Sequence, residues 1–94
     1  MKRIVIIYKD NYVGAIALFT RLRREMAETA DIVRNSISIN SYAYFNDNSK
    51  LYMFNFGDMM KRGWRQNSDI TYVDKELAHF VYGGLELGDQ IVWF

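Results

Sequence analysis

Apolar and polar positions along the 94-residue chain follow two different periodicities. Near the start, Ile4, Val5, Ile6 and Ile7 form an unbroken β-branched run. A run with so little alternation predicts a strand covered on both faces, as in a parallel or mixed sheet. From Tyr12 onward the spacing changes to threes and fours. Tyr12, Ala15, Ile16, Phe19, Leu22 and Met26 share one face of a predicted helix over 11–28, with Arg21, Arg24 and Glu28 opposite. Asp10 or Asn11 supplies the cap that such a helix needs.

Residues 36–56 read as a β-hairpin. Ser41-Tyr42-Ala43-Tyr44-Phe45 and Leu51-Tyr52-Met53-Phe54 are rich in aromatic residues, and Asn46-Asp47-Asn48-Ser49 between them is turn chemistry. Gly57 and Asp58 end the second strand, and Asp58 is placed to cap a short helix through Met59, Met60, Lys61, Arg62 and Trp64. Residues 69–73 predict a further strand. Asp74 then caps a helical turn containing Leu77, Phe80 and Val81, which Gly83 and Gly84 terminate. Residues 90–94 form the last strand, docked into the sheet through Trp93 and Phe94. The order β-α-β-β-α-β-α-β predicts one small α/β or α+β domain spanning 1–94, with helices packed on a mixed sheet.

Composition narrows the chemistry. Half the residues are hydrophobic and 16% are aromatic, which excludes a disordered chain. Cysteine is absent and His79 is the sole histidine, so disulfides, thiolate nucleophiles and cysteine- or multi-histidine metal sites are excluded within one chain. The apolar run at the N-terminus is too short for a signal-peptide core or a membrane span. The expectation is a cytoplasmic protein with no membrane association and no cofactor. Net charge is +1, which argues against a highly basic nucleic-acid coat. The charges are unevenly placed: residues 1–65 sum to +5 and residues 66–94 to −4. Either the domain has a basic and an acidic side, or the fold interleaves them.

Three segments carry a resemblance. Residues 46–54 (NDNSKLYMF), 60–64 (MKRGW) and 69–74 (DITYVD) resemble part of the P-loop ATPase core of phage terminase large subunits and related helicase-like motors, with the last segment at the position of the Walker B strand. Residues 2–26 match the strand and helix between that family's nucleotide loop and its hairpin. The resemblance implies an α/β fold, and Asp74 would stand where the family places its magnesium-associated acid. The nucleotide loop itself is missing. It requires G-x-x-x-x-G-K-[ST], and none of Gly14, Gly57, Gly63, Gly83, Gly84 or Gly88 precedes a lysine. The position of the catalytic glutamate holds Lys75. The resemblance therefore implies a trimmed motor-domain piece, or a mimic of one, rather than an ATPase.

Residues able to carry chemistry are few. Asp74, Glu76 and His79 are the one acid-plus-imidazole grouping; the competing assignment is a helix cap, a first-turn glutamate and a surface histidine. No serine sits in a nucleophile elbow. The aromatic hairpin is the most unusual feature. Its tyrosines, with Phe45 and Phe56 alternating to the other side, form an interface patch if helices leave one face uncovered, and core if they do not. Trp64 among Lys61, Arg62 and Arg65 has the composition of a phosphate- and base-contacting site, or of an edge residue among solvated charges.

The expectation is a non-catalytic protein-interaction domain, of the size and style of a viral or mobile-element accessory protein. It would bind and modulate or inhibit a larger protein, such as a nucleic-acid-processing machine. The expected contact residues are Tyr42, Tyr44, Tyr52, Arg62, Trp64 and Arg65. The alternative is a small nucleic-acid-binding protein using the basic residues around Trp64. A homodimer through the hairpin or the final strand is a further arrangement, and it would hide the aromatic patch.

Overall fold

A computed structural model describes residues 1–61, 68–79 and 90–94. The elements run β1 (Arg3–Tyr8), α1 (Tyr12–Met26), β2 (Ile32–Ser36), β3 (Ser41–Phe45), β4 (Lys50–Asn55), α2 (Phe56–Lys61), β5 (Ile70–Val73), a single 3₁₀ turn at Lys75–Leu77, and β6 (Ile91–Trp93). The strands make one six-stranded mixed sheet in the order β2-β3-β4-β1-β5-β6. β1 runs parallel to both of its neighbours, β4 and β5, and β5 is parallel to β6. The β2-β3 and β3-β4 pairs are antiparallel.

The central place of β1 explains its sequence. Ile4 to Tyr8 are all buried, because alternate side chains serve cores on opposite faces of the sheet. Ile4, Ile6 and Tyr8 point toward α1, where they meet Ala15, Leu18, Phe19 and Leu22 along with Ala43, Phe45, Leu51 and Met53 from the hairpin. Val5 and Ile7 face the other side and pack with Met59, Val73 and Leu77. Of the helix face read from the sequence, Ala15, Phe19 and Leu22 are buried and Ile16 and Met26 partly so, while Tyr12 is exposed; Leu18 completes the buried stripe. Asn11 caps α1, accepting from the Gly14 amide at 3.0 Å. A Cβ on Gly14 would lie 2.3–2.9 Å from the Asn11 side-chain atoms, so the glycine keeps the cap in place.

Four details differ from the sequence pattern. A strand absent from the expected order, β2, extends the hairpin to three antiparallel strands. Every residue of β2 is exposed, so it has no alternating burial to advertise it. α2 begins at Phe56 rather than Asp58. The Asn55 side chain caps it, accepting from the amides of Gly57 at 3.0 Å and Asp58 at 3.4 Å. Phe56 lies with Tyr52 and Phe54 on the Met59 side of the sheet, the side that a period of two from those residues requires, and not on the side of Phe45. The third helical segment begins as the 3₁₀ turn capped by Asp74, and its expected members Phe80 and Val81 lie outside the described residues.

The hairpin turn follows its chemistry. Asn48 adopts a left-handed conformation, φ 70°, which asparagine tolerates better than most residues. The Asn48 amide donates to the Phe45 carbonyl at 3.1 Å, and the Phe45 amide to the Ser49 carbonyl at 3.0 Å. The Asp47 carboxylate accepts from the Ser49 amide at 2.9 Å, and this hydrogen bond holds its pKa below the ordinary value.

Candidate functional site

The register of the sheet determines which side chains share a face. Tyr42 lies opposite Tyr52, and Tyr44 opposite Lys50. Tyr42, Tyr44, Tyr52 and Phe54 therefore stand together on the face away from α1, as the hairpin pattern requires. Phe45 points the other way, into the α1 core. Among the described residues, α2 and the 3₁₀ turn cover this second face around β1 and β5, where Met59 and Leu77 seal Val5, Ile7 and Val73. The four hairpin aromatics lie beside that seal and remain half-buried.

The rings form a connected row. Tyr42 and Tyr44 lie 4.8 Å apart, tilted by 30°. Tyr44 meets Tyr52 edge-on at 5.9 Å, and Tyr52 stacks on Phe54 at 5.4 Å with 15° between the planes. Two cations close on this row from the flanking positions. The Arg34 guanidinium sits 5.9 Å from the centre of the Tyr42 ring, and the Lys50 ammonium 5.6 Å from that of Tyr44. Such placements are favourable because the ring face carries the negative part of the aromatic quadrupole.

Cations predominate on the face beside the tyrosines, and Asp69 lies at its far side, where its carboxylate accepts from the Arg3 amide at 2.9 Å. The described strand positions of the face carry Arg3, Arg34 and Lys50 and no carboxylate. Neither Arg34 nor Lys50 has a carboxylate partner among the described residues. Burial, and hydrogen bonding to Tyr44, push the Tyr52 hydroxyl up to about 12 despite the opposing effect of Arg3. The Tyr52 phenol accordingly remains a neutral donor at physiological pH.

Of the six contact residues expected from the sequence, Tyr42, Tyr44 and Tyr52 are brought together. Arg62, Trp64 and Arg65 lie outside the described residues. Arg34 and Lys50 occupy the cationic positions seen on this face. The periodicity gave no notice of them, because a lone lysine after a turn and a lone arginine in a strand without burial carry no pattern. Only the pairing register sets them over tyrosine rings.

The acid-plus-imidazole grouping resolves into its separate parts. Asp74 is buried, and its carboxylate accepts from the Glu76 amide at 3.1 Å and the Lys9 amide at 3.4 Å. This is the cap assignment. Glu76 and His79 are exposed. Among the described residues no three His, Cys, Asp or Glu side chains come close enough to hold a metal ion.

A polar cluster lies at the carboxyl ends of β1 and β4. The Tyr8 hydroxyl donates to the Ile39 carbonyl at 2.8 Å, and Asn40 donates to the Asp58 carboxylate at 3.0 Å. The Asn55 amide donates to the Asn40 side chain at 2.9 Å, while the Asn55 side chain donates to the Lys9 carbonyl at 3.1 Å. Burial pushes the Tyr8 phenol above its ordinary pKa. These groups bond to one another and tie the segment before β3 to the sheet.

Two of the three arginines of α1 are also engaged locally. Arg21 lies 3.8 Å from Glu25, and Arg23 lies over Phe19 at 5.9 Å. No described helix is long and apolar enough to cross a membrane. No protein-family model, curated protein or solved structure matches this chain.

Proposed function

We propose that this chain is a non-catalytic interaction domain that binds the acidic surface of a larger protein through its tyrosine face and modulates that protein. The observation that carries this reading is the row Tyr42, Tyr44, Tyr52 and Phe54, half-buried and continuous, with cations and no carboxylate on the strands around it. Tyrosine and arginine are the residue types that dominate binding energy where proteins meet. Arg34 and Lys50, which no described carboxylate pairs, favour a partner of negative charge and speed the encounter with it.

The geometry of the rings favours a protein partner over nucleic acid. Base stacking requires open ring faces. Here ring faces are engaged: Tyr42 with Tyr44, Tyr52 with Phe54, and the cations over Tyr42 and Tyr44. What such a row offers is ring edges, hydroxyls and guanidinium or ammonium donors, which suit a side-chain surface better than a base.

The likeness of residues 46–74 to a terminase-like motor supports a nucleic-acid-processing machine as the partner, and the small size of the domain supports an accessory role of viral or mobile-element type. Both are associations rather than derivations from the site. Arg62, Trp64 and Arg65 extend the proposed surface on sequence grounds.

The test is affinity capture from cell lysate with nuclease present, using the wild type, Tyr42→Ala/Tyr44→Ala and Arg34→Glu/Lys50→Glu. A protein partner that survives nuclease and is lost with both variants is expected. Capture that vanishes with nuclease transfers the face to nucleic acid, and binding indifferent to both variants removes the face from the function altogether.

A further inference from the structure

Strand register draws a transverse line of charge across the tyrosine face. Arg34 of β2 lies opposite Tyr44 of β3, Tyr44 opposite Lys50 of β4, and Lys50 opposite Arg3 of β1. Asp69 stands next beyond Arg3, just before β5. The Arg3 amide donates to its carboxylate at 2.9 Å, and the Asp69 amide donates to the Arg3 carbonyl at 2.9 Å. Read across the sheet, the line runs cation, tyrosine, cation, cation, carboxylate. Neighbouring strands lie about 4.8 Å apart, so the distance from Arg34 to Arg3 is roughly 14 Å, which one short peptide segment spans. The next line along the strands is Ser36, Tyr42, Tyr52 and Val5, and it carries no charge.

We infer that this line seats an acidic peptide segment of the partner protein, laid across the strands with carboxylates over Arg34, Lys50 and Arg3 and a basic side chain toward Asp69. The inference rests on the tyrosine face being the contact surface. Charge complementarity selects the occupant. The cations stand in one row, so a single linear segment meets all of them. Arg34 and Lys50 have no carboxylate partner among the described residues, and their charged heads lie 5.9 and 5.6 Å from the Tyr42 and Tyr44 ring centres. Side chains already placed against rings lose less freedom when a carboxylate arrives. A nucleic-acid backbone fits the line less well. Its binders typically neutralise about 6–10 phosphates, whereas this row ends after Arg3 at a carboxylate that repels the next phosphate.

Asp69 also gives the seat a direction. Reversing the segment would set its basic side chain on Arg34 and a carboxylate on Asp69, and such like-charge contacts discriminate against the wrong placement. The uncharged line of Tyr42 and Tyr52 beside the row supplies apolar contact along one flank of the segment only.

The probe is labelled hexaglutamate, followed by fluorescence anisotropy at low salt, with labelled hexathymidylate as the phosphate control. Hexaglutamate should bind the more tightly of the two. Arg34→Glu/Lys50→Glu should weaken it by about tenfold, and Asp69→Asn should tighten it by about twofold. Asparagine keeps an acceptor for the Arg3 amide, so the junction of β1 with β5 stays intact. Arg21→Glu/Arg24→Glu makes the same change of net charge on exposed positions of α1 and should leave the affinity within about twofold. No binding of hexaglutamate to the wild type, equal weakening by the two reversals, or tighter binding of hexathymidylate overturns the inference. If partner capture still depends on Tyr42 and Tyr44 in that event, the interaction reading stands without the acidic segment. Capture indifferent to Tyr42→Ala/Tyr44→Ala strikes that reading itself, and the inference with it.

Discussion

The two faces of the sheet are made by the same strands yet finish differently. On the α1 side, four turns of helix lie along β1 and β4, and Phe19, Ile6, Leu51 and Met53 are completely sealed. On the other side, among the described residues, the six-residue α2 and one 3₁₀ turn seal the centre, and the hairpin aromatics lie beside that cover, half-buried. Both faces are built from large apolar groups, so composition does not separate them. The difference is that aliphatic side chains must be covered, whereas tyrosine presents an apolar body with a polar tip and tolerates a half-wet position. The sealed face holds the fold together; the half-open face is the one on which the proposed function rests.

Several substitutions break or sharpen this contrast. The largest effect belongs to Phe19→Ala, which empties the centre of the sealed face and should cost about 3–5 kcal/mol in denaturant unfolding, a large share of the stability of so small a domain. Tyr42→Ala on the open face should cost only about 1 kcal/mol while abolishing capture of the partner. Equal losses of stability at the two positions would erase the distinction between the faces.

Alkaline pH probes the open face directly. Tyr52 keeps its proton to about pH 12 in the folded chain and to about 10.0 unfolded. Its stabilising contribution is thus fully present below pH 10 and is lost as pH rises through 12. Tyr52→Phe should flatten the fall in stability between these limits by up to about 2 kcal/mol, after allowance for partial exposure. Tyr8, which is also shifted upward, keeps part of the remaining slope.

The hairpin turn fixes the register that aligns the tyrosines. Asn48→Val forces a β-branched residue to a positive φ and should cost about 1–2 kcal/mol, whereas Asn48→Gly should be neutral or slightly stabilising. The smallest effect concerns the lid of the sealed face. Asn11→Ala removes the α1 cap and should lower stability by about 1 kcal/mol without touching partner capture.

Much of this contrast was legible in the chain. The unbroken apolar run of β1 announced burial on both sides, the three-four spacing gave the buried face of α1, and the alternation of the hairpin put Tyr42, Tyr44, Tyr52 and Phe54 together. Each of these is a local consequence of backbone periodicity, which a sequence carries directly. The parts that were hidden depend on partners distant in the chain. Exposed β2 shows no pattern of burial because it lies at an edge. Asn55 became the cap of α2 in place of Asp58 because the strand pairing ends there. Arg34 and Lys50 reached the tyrosine rings through cross-strand register, and Asp74 was turned to the Lys9 amide by the parallel pairing of β1 with β5.

The sequence by itself determined a small mixed α/β domain, its principal helix, its aromatic hairpin and the lack of a nucleotide loop, because these follow from periodicity, turn chemistry and the residues present. Only the tertiary structure decided that the tyrosines stay half-exposed, that their neighbouring charges are cationic, and that β2 rather than the hairpin forms the open edge. Those outcomes depend on how far each covering element reaches across the sheet and on which strands become neighbours, and neither is encoded in any local stretch of chain.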